Sequence, residues 1–126
     1  MKILIVDDER LVRVCLESML HELIGDAAEC YHAGSAMQAE KWLASNSAPD
    51  IIFVDYKMPK KSGLELAEEQ RKAGMETRWV LLSGYEMSPF QNQIADAGIR
   101  HVFLKPISIE ELDSILNETA TQRPLP

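Results

Sequence analysis

Cysteine is scarce in this sequence, with Cys15 and Cys30 the only two among 126 residues. So few thiols cannot staple a scaffold, and they read as buried free thiols on apolar faces rather than as a disulfide or a metal pair. Histidine is nearly as rare. His21, His32 and His101 lack the spacing of a metal site and read as surface or helix-end groups. Long apolar runs are missing too, none approaching the ~20 residues of a membrane span. The apolar start Ile3-Leu4-Ile5-Val6 stops at Asp7 after a single Lys2, which is no secretory signal. The expected setting is a reducing cytoplasm, away from the membrane. Basic residues are in deficit, 13 Lys and Arg against 20 Asp and Glu, for a formal net charge of -7. Nucleic-acid affinity comes mainly from neutralising phosphates, so direct binding by this domain is not expected and any DNA contact falls to another domain.

What is present is the length of one domain, able to bury roughly two-thirds of its unfolded surface without staples. Short apolar runs alternate with helical patterns. Residues 2–6, 28–33, 50–54, 78–83 and 101–104 read as strands, and the segments between them carry helix periodicity. In the first such segment Val12, Cys15, Leu16, Met19 and Leu23 recur three or four apart on one face. The other four helices open with Ser followed three residues later by Glu or Gln: Ser35 with Gln38, Ser62 with Glu65, Ser88 with Gln91, Ser108 with Glu111. Each pair can satisfy free amides of the first turn reciprocally, and Pro89 strengthens the third. Strict alternation of strand and helix gives an α/β fold, a doubly wound parallel sheet covered on both faces.

The strand ends carry the chemistry. Asp7, Asp8 and Glu9 follow the first strand, although Asp8 as a helix cap and Glu9 at the positive helix end would explain only part of that acidity. Asp55 closes the third strand, Ser83 the fourth, and Lys105 the fifth beside Pro106. The second ends at Ala33-Gly34 with no reactive group, as befits an outer strand. In a parallel sheet these ends share one edge, where ligands of open α/β folds bind. Three carboxylates gathered there repel unless a cation offsets them. Lys105 supplies one charge, and magnesium suits an oxygen-only donor set that also takes phosphate oxygens. With one carboxylate as nucleophile, the expected chemistry is phosphoryl transfer to an aspartate, with Lys105 and Ser83 stabilising the transferred group.

The motifs Ile3-Leu4-Ile5-Val6-Asp7-Asp8, Asp55-Tyr56-Lys57-Met58-Pro59 with Gly63, Ser83-Gly84 and Lys105-Pro106, in this order and spacing, resemble the receiver domain of bacterial two-component response regulators. The resemblance covers about residues 2–118. It implies a flavodoxin-like three-layer sandwich with five helices around a five-stranded sheet. It also implies strand order 2-1-3-4-5, for which the chemotaxis receiver is itself the standard example. It implies that Asp55 is the phosphoacceptor, Ser83 the switch hydroxyl and Lys105 the phosphoryl-binding lysine. Asp8 and Asp55 would hold Mg2+ directly, Asp7 mainly through a coordinated water, and Lys57 through its backbone carbonyl. The implied partners are a sensor histidine kinase or histidine phosphotransfer protein, and an effector domain or downstream protein. Such a domain is regulatory rather than an enzyme, although it assists its own Mg-dependent phosphorylation and dephosphorylation. The alternative is a degenerate receiver that binds partners without being phosphorylated. A haloacid-dehalogenase-type phosphatase would need an aspartate where Lys57 stands. A flavin mononucleotide carrier would need a glycine- and hydroxyl-rich loop where Asp7-Asp8-Glu9 stand.

Three positions set this sequence apart. Receivers usually carry Tyr or Phe three residues before the conserved lysine, and here that residue is Val102. The positions of Lys57 and Tyr85 line the approach of hydrolytic water in the family, and neither residue is a water-orienting amide or carboxylate. Elsewhere Met58 is expected to pack the loop, Pro59 to end the strand, and Trp42 and Leu43 to be core or rim contacts. Lys60 and Lys61 are a solvated pair that can help to attract a phosphodonor. Residues 1–120 form the expected receiver domain. Residues 121–126 are a frayed end or the start of a linker.

Overall fold

The structure is a computed structural model that describes residues 1–122. The tail expected at 121–126 therefore lies, from Arg123 onward, outside the described residues. Five strands, β1 (Lys2–Val6), β2 (Glu29–Ala33), β3 (Ile51–Asp55), β4 (Arg78–Ser83) and β5 (His101–Leu104), alternate with α1 (Arg10–Ile24), α2 (Ala36–Ser45), α3 (Gly63–Lys72), α4 (Gln91–Asp96) and α5 (Ile109–Gln122). The strands form one parallel sheet in the order β2-β1-β3-β4-β5. Because the chain runs from β1 outward to β2 and then returns to β3 on the other side, the order reverses between β1 and β3. That reversal opens the crevice in which doubly wound folds bind ligands.

Side-chain alternation divides the core into two layers. Ile3, Ile5, Phe53, Val80 and Leu82 meet Leu16 and Leu20 of α1 and Leu112, Ile115 and Leu116 of α5. Leu4, Val6, Ile52, Val54 and Leu81 meet Leu43 of α2, Leu64 and Leu66 of α3, and Ala97 and Ile99 after α4. All five residues of β3 are buried, which explains a run that is apolar without alternation. Each large side chain so enclosed contributes about 1.5–3 kcal/mol. Thus the acid that ends β3 projects from the fully buried central strand of the sheet.

The helix starts depart from expectation in three places. Ser62 and Ser108 make full reciprocal boxes with Glu65 and Glu111. Ser35 accepts from the Gln38 amide while Gln38 reaches back one residue further, to the Gly34 N–H. Ser88 caps nothing. Its hydroxyl and amide both donate to Glu86, a 3-10 turn runs from Ser88 to Phe90, and α4 starts only at Gln91 with no side-chain cap. Nor does Asp8 cap α1, whose N-cap is Glu9 with no side-chain bond. Cys15, expected to be buried, is exposed, and Cys30 is only half-buried; both thiols are free. The buried strip of α1 is narrower than its apolar stripe, since only Leu16 and Leu20 are fully enclosed.

Among the smaller readings, Met58 is buried against the core, Leu43 is buried, and half-buried Trp42 stacks at a tilt on Tyr31 with ring centres 5.1 Å apart. Lys61 is not a loosely solvated lysine. Its ammonium pairs with Glu40 at 3.1 Å and Glu69 at 2.5 Å, which ties its charge to α2 and α3.

Candidate phosphoryl-transfer site

Asp7 follows β1, Asp55 ends β3, Ser83 ends β4 and Lys105 follows β5, so four connections bring their side chains to one edge. Asp7 and Asp55 are 2% and 6% exposed, whereas Asp8 is open to solvent. One oxygen from each of the three carboxylates lies within 4.8 Å of the others. The Lys105 ammonium bridges two of them, 2.8 Å from Asp7 Oδ2 and 2.9 Å from Asp55 Oδ1. Burial alone would lower the Lys105 pKa, but its hydrogen bonds to Asp7 and Asp55 outweigh that and raise it. Asp55 moves upward as well, because burial and the charges of Asp7 and Asp8 exceed the compensating pull of Lys105. One ammonium does not neutralise three carboxylates. The donors are all hard oxygens, so the remaining negative charge suits a hard divalent cation such as Mg2+.

A cavity of about 580 Å³ opens over Asp55, lined among others by Asp8, Lys57, Met58, Gly84 and Tyr85. The β3-α3 loop is folded tightly against the strand it leaves. Gly63 donates to the Tyr56 carbonyl at 2.9 Å, and a Cβ at residue 63 would collide with the Asp55 carbonyl oxygen. Glycine is therefore required for α3 to start so close to the acid. Lys60, in the same loop, holds a left-handed φ of 72°.

Of the residues singled out from sequence, Asp7, Asp8, Asp55 and Lys105 come together as expected. Ser83 reaches the same edge and is 1% exposed, but its hydroxyl is engaged by the Tyr85 backbone. It donates to the Tyr85 carbonyl and accepts from the Tyr85 amide, both at 2.9 Å. Lys57 lines the cavity, with its ammonium drawn to Tyr85. Two supports escaped the sequence reading. Glu9 N–H donates to Asp7 Oδ1 at 2.8 Å, and Arg13 Nη1 donates to the Asp7 carbonyl at 2.6 Å. These contacts fix Asp7 from the first turn of α1. No pattern marks Arg13 in the sequence, because its role depends on which way α1 leaves the sheet.

A family model described as the response regulator receiver domain matches residues 3–117. The chain is 30% identical over 118 residues to the transcriptional regulatory protein PdtaR of Mycobacterium tuberculosis, covering 88% of this chain and 52% of that protein. It is 33% identical over 112 residues to the response regulator MprA of Mycobacterium avium, covering 89% and 47%. It thus spans about half the length of these curated relatives. Among solved structures, a two-component response regulator from Clostridium difficile superposes with a TM-score of 0.86 over 97% of each chain at 20% identity, a likeness of fold. Among the described residues no helix is long and apolar enough to cross a membrane. With its sheet order, its edge of acids and a match across nearly its whole length, the chain belongs to the response regulator receiver domain family.

Proposed function

We propose that this chain is a cytoplasmic, phosphorylation-dependent switch that accepts a phosphoryl group on Asp55. The observation that carries the reading is a buried strand-end carboxylate with Lys105 at 2.9 Å and two further carboxylates within 4.8 Å. The donor is a phosphohistidine on a sensor kinase or phosphotransfer protein. An Asp55 oxygen attacks phosphorus, the P–N bond breaks, and the donor imidazole leaves. Lys105 holds Asp55 in place before the transfer and then faces the phosphoryl oxygens. Ser83 must rotate off the Tyr85 backbone to donate to that group, and in doing so it releases the loop that follows β4. Asp7, Asp8, Asp55 and the Lys57 carbonyl would hold Mg2+, which when bound supplies charge neutralisation for the transferring group. The altered surface is read by an effector domain or a separate downstream protein.

The test is phosphorylation from acetyl phosphate with and without Mg2+, followed by intact mass. The expected result is one phosphoryl group per chain only with Mg2+, and none on a folded Asp55→Asn variant. Stoichiometric labelling of that variant would overturn the assignment.

A further inference from the structure

A second group of ligating side chains lies between α1 and the edge strand β2. Glu17 and His21 stand one turn apart on α1, a spacing that places both on one face. Cys30 comes from β2 to meet them. A carboxylate oxygen, an imidazole nitrogen and the thiol sulfur lie within 4.8 Å of one another.

The surroundings orient two of these three groups. The Gly25 carbonyl, 3.0 Å from His21 Nδ1, can only accept, so Nδ1 carries the proton of the neutral ring and Nε2 the lone pair. Arg13 Nε donates to His32 Nδ1 at 3.3 Å, which leaves His32 Nε2 to donate to Glu17 Oε1 at 2.7 Å. A histidine whose other nitrogen donates to a carbonyl, and a carboxylate held by an outer hydrogen bond, are the contacts by which metal sites aim their ligands. Burial and then the Glu17 charge push the Cys30 thiol up to about 11, against a smaller downward pull from the N-terminal ammonium. The thiol therefore keeps its proton at neutral pH until a metal ion displaces it.

We propose that Glu17, His21 and Cys30 bind a divalent transition-metal ion of the zinc class, at a site separate from the oxygen-only cluster of Asp7, Asp8 and Asp55. Thiolate with imidazole selects zinc over magnesium. Three protein ligands leave the fourth tetrahedral position to water. Ligands ~2.0–2.3 Å from zinc stand ~3.3–3.7 Å apart, so separations within the cluster contract by up to about 1.5 Å. Glu17 is half-buried and His21 exposed, so core packing locks neither side chain against that adjustment. Binding releases the Cys30 thiol proton to solvent, and affinity therefore rises with pH. The ion ties β2 to α1 and stabilises the folded chain.

The test is titration of the full chain with Co2+ and with Zn2+ in saturating Mg2+. One equivalent of Co2+ is expected to give thiolate-to-cobalt charge-transfer absorption. Zn2+ is expected to protect Cys30, but not exposed Cys15, from alkylation read by mass spectrometry. Cys30→Ser and His21→Ala should each weaken binding by more than the ~10–100-fold that loss of an outer partner costs, while Asp8→Ala should not. His21 is exposed, so its variant folds even if Cys30→Ser does not. No thiolate band from the folded chain, binding unchanged in His21→Ala, or protection confined to Cys15 would each overturn the proposal.

Discussion

The Lys57 ammonium stands 3.2 Å from the Tyr85 hydroxyl and 5.5 Å from the centre of its ring, joining the β3-α3 loop to the β4-α4 loop beside the Asp55 cavity. Tyr85 is 52% exposed, so its ring is held over the opening by this contact rather than by burial. Hydrolysis of a phosphoaspartate needs an in-line water, and the ring and ammonium line the cavity through which it would arrive. Neither group can serve as a base there while the lysine stays charged, and the Tyr85 contact raises its pKa. Tyr85→Ala and Lys57→Asn should each shorten the lifetime of phosphorylated Asp55 by roughly 3–10-fold, equivalent to about 1 kcal/mol of barrier. Decay of phosphoprotein measured by intact mass tests this, and unchanged rates in both variants would sink it.

The carboxylate cluster sets how stability varies with pH. An acid whose folded pKa is raised binds its proton more tightly in the native state. Its favourable contribution is thus complete below the ordinary value of 3.8 and is lost as pH climbs through the raised one. Above that range the ionised Asp55 carboxylate is disfavoured by burial and by its acidic neighbours, a cost that a bound cation would offset. Asp55→Asn should therefore stabilise the metal-free chain at neutral pH, by on the order of 1 kcal/mol after allowing for solvent screening. Asp8→Ala should act in the same direction. Saturating Mg2+ should abolish or reverse the advantage. Urea unfolding with and without metal gives the answer, and a clearly less stable metal-free Asp55→Asn protein would contradict this account.

Lys105 is shifted in the same direction but stabilises the chain at neutral pH. Its folded pKa is raised above 10.5, so the stability it contributes is fully present at neutral pH and fades only as pH rises through the folded value. Lys105→Met leaves Asp7 and Asp55 facing each other without their shared ammonium. It should cost about 1–2 kcal/mol at neutral pH, and less in acid where the carboxylates protonate. Equal losses at both pH values would point instead to packing by the lysine stem.

Much of this architecture was legible in the residues. β1 and β3 stood out because buried parallel strands carry unbroken apolar runs, and the acids at their ends, Asp7 and Asp55, were conspicuous for that reason. What stayed hidden depended on neighbours outside any local pattern. Ser88 has the sequence of a cap, but Glu86 competes for both its amide and its hydroxyl. Cys15 shares the apolar stripe of α1 yet lies at its solvent margin, beside a shallow apolar hollow with Leu11 and Met19. Glu17, His21 and Cys30 come from two elements, and only the pairing of β2 with β1 brings them within reach.

The capping differences are measurable. Ser62→Ala and Ser108→Ala each break a reciprocal box and should cost about 0.5–2 kcal/mol. Ser88→Ala loses only its bond to Glu86 at an exposed turn and should stay within about 0.5 kcal/mol of the parent. Comparable losses at all three positions would mean that α4 starts at Ser88 in solution.

The switch itself should run through a different path from that of most receivers. Val102 faces the layer of α2, α3 and α4, while Phe103 packs against the α1 and α5 layer, so the neighbouring aromatic cannot replace the one that is missing. Beside Val102 lies a cavity of about 380 Å³, lined also by Met87, Ile94 and Ile99, where a larger ring would turn inward. Valine is stiff and too small to fill or vacate that space between states. Ser83, in contrast, holds both the amide and the carbonyl of Tyr85, and moving its hydroxyl to a phosphoryl group breaks both bonds at once. Inverting a 1:99 population needs a difference of ~5.5 kcal/mol between the two states. Without an aromatic lever that difference must come from the loop between β4 and α4. A beryllofluoride phosphate mimic with Mg2+ should therefore shift backbone amides strongly from Ser83 to Phe90 and weakly from Arg100 to Phe103. Val102→Tyr should extend the response into β5. An NMR titration of the unmodified chain with its largest distal shifts at Val102 and along α5 would show that the ordinary receiver switch operates here without its aromatic residue.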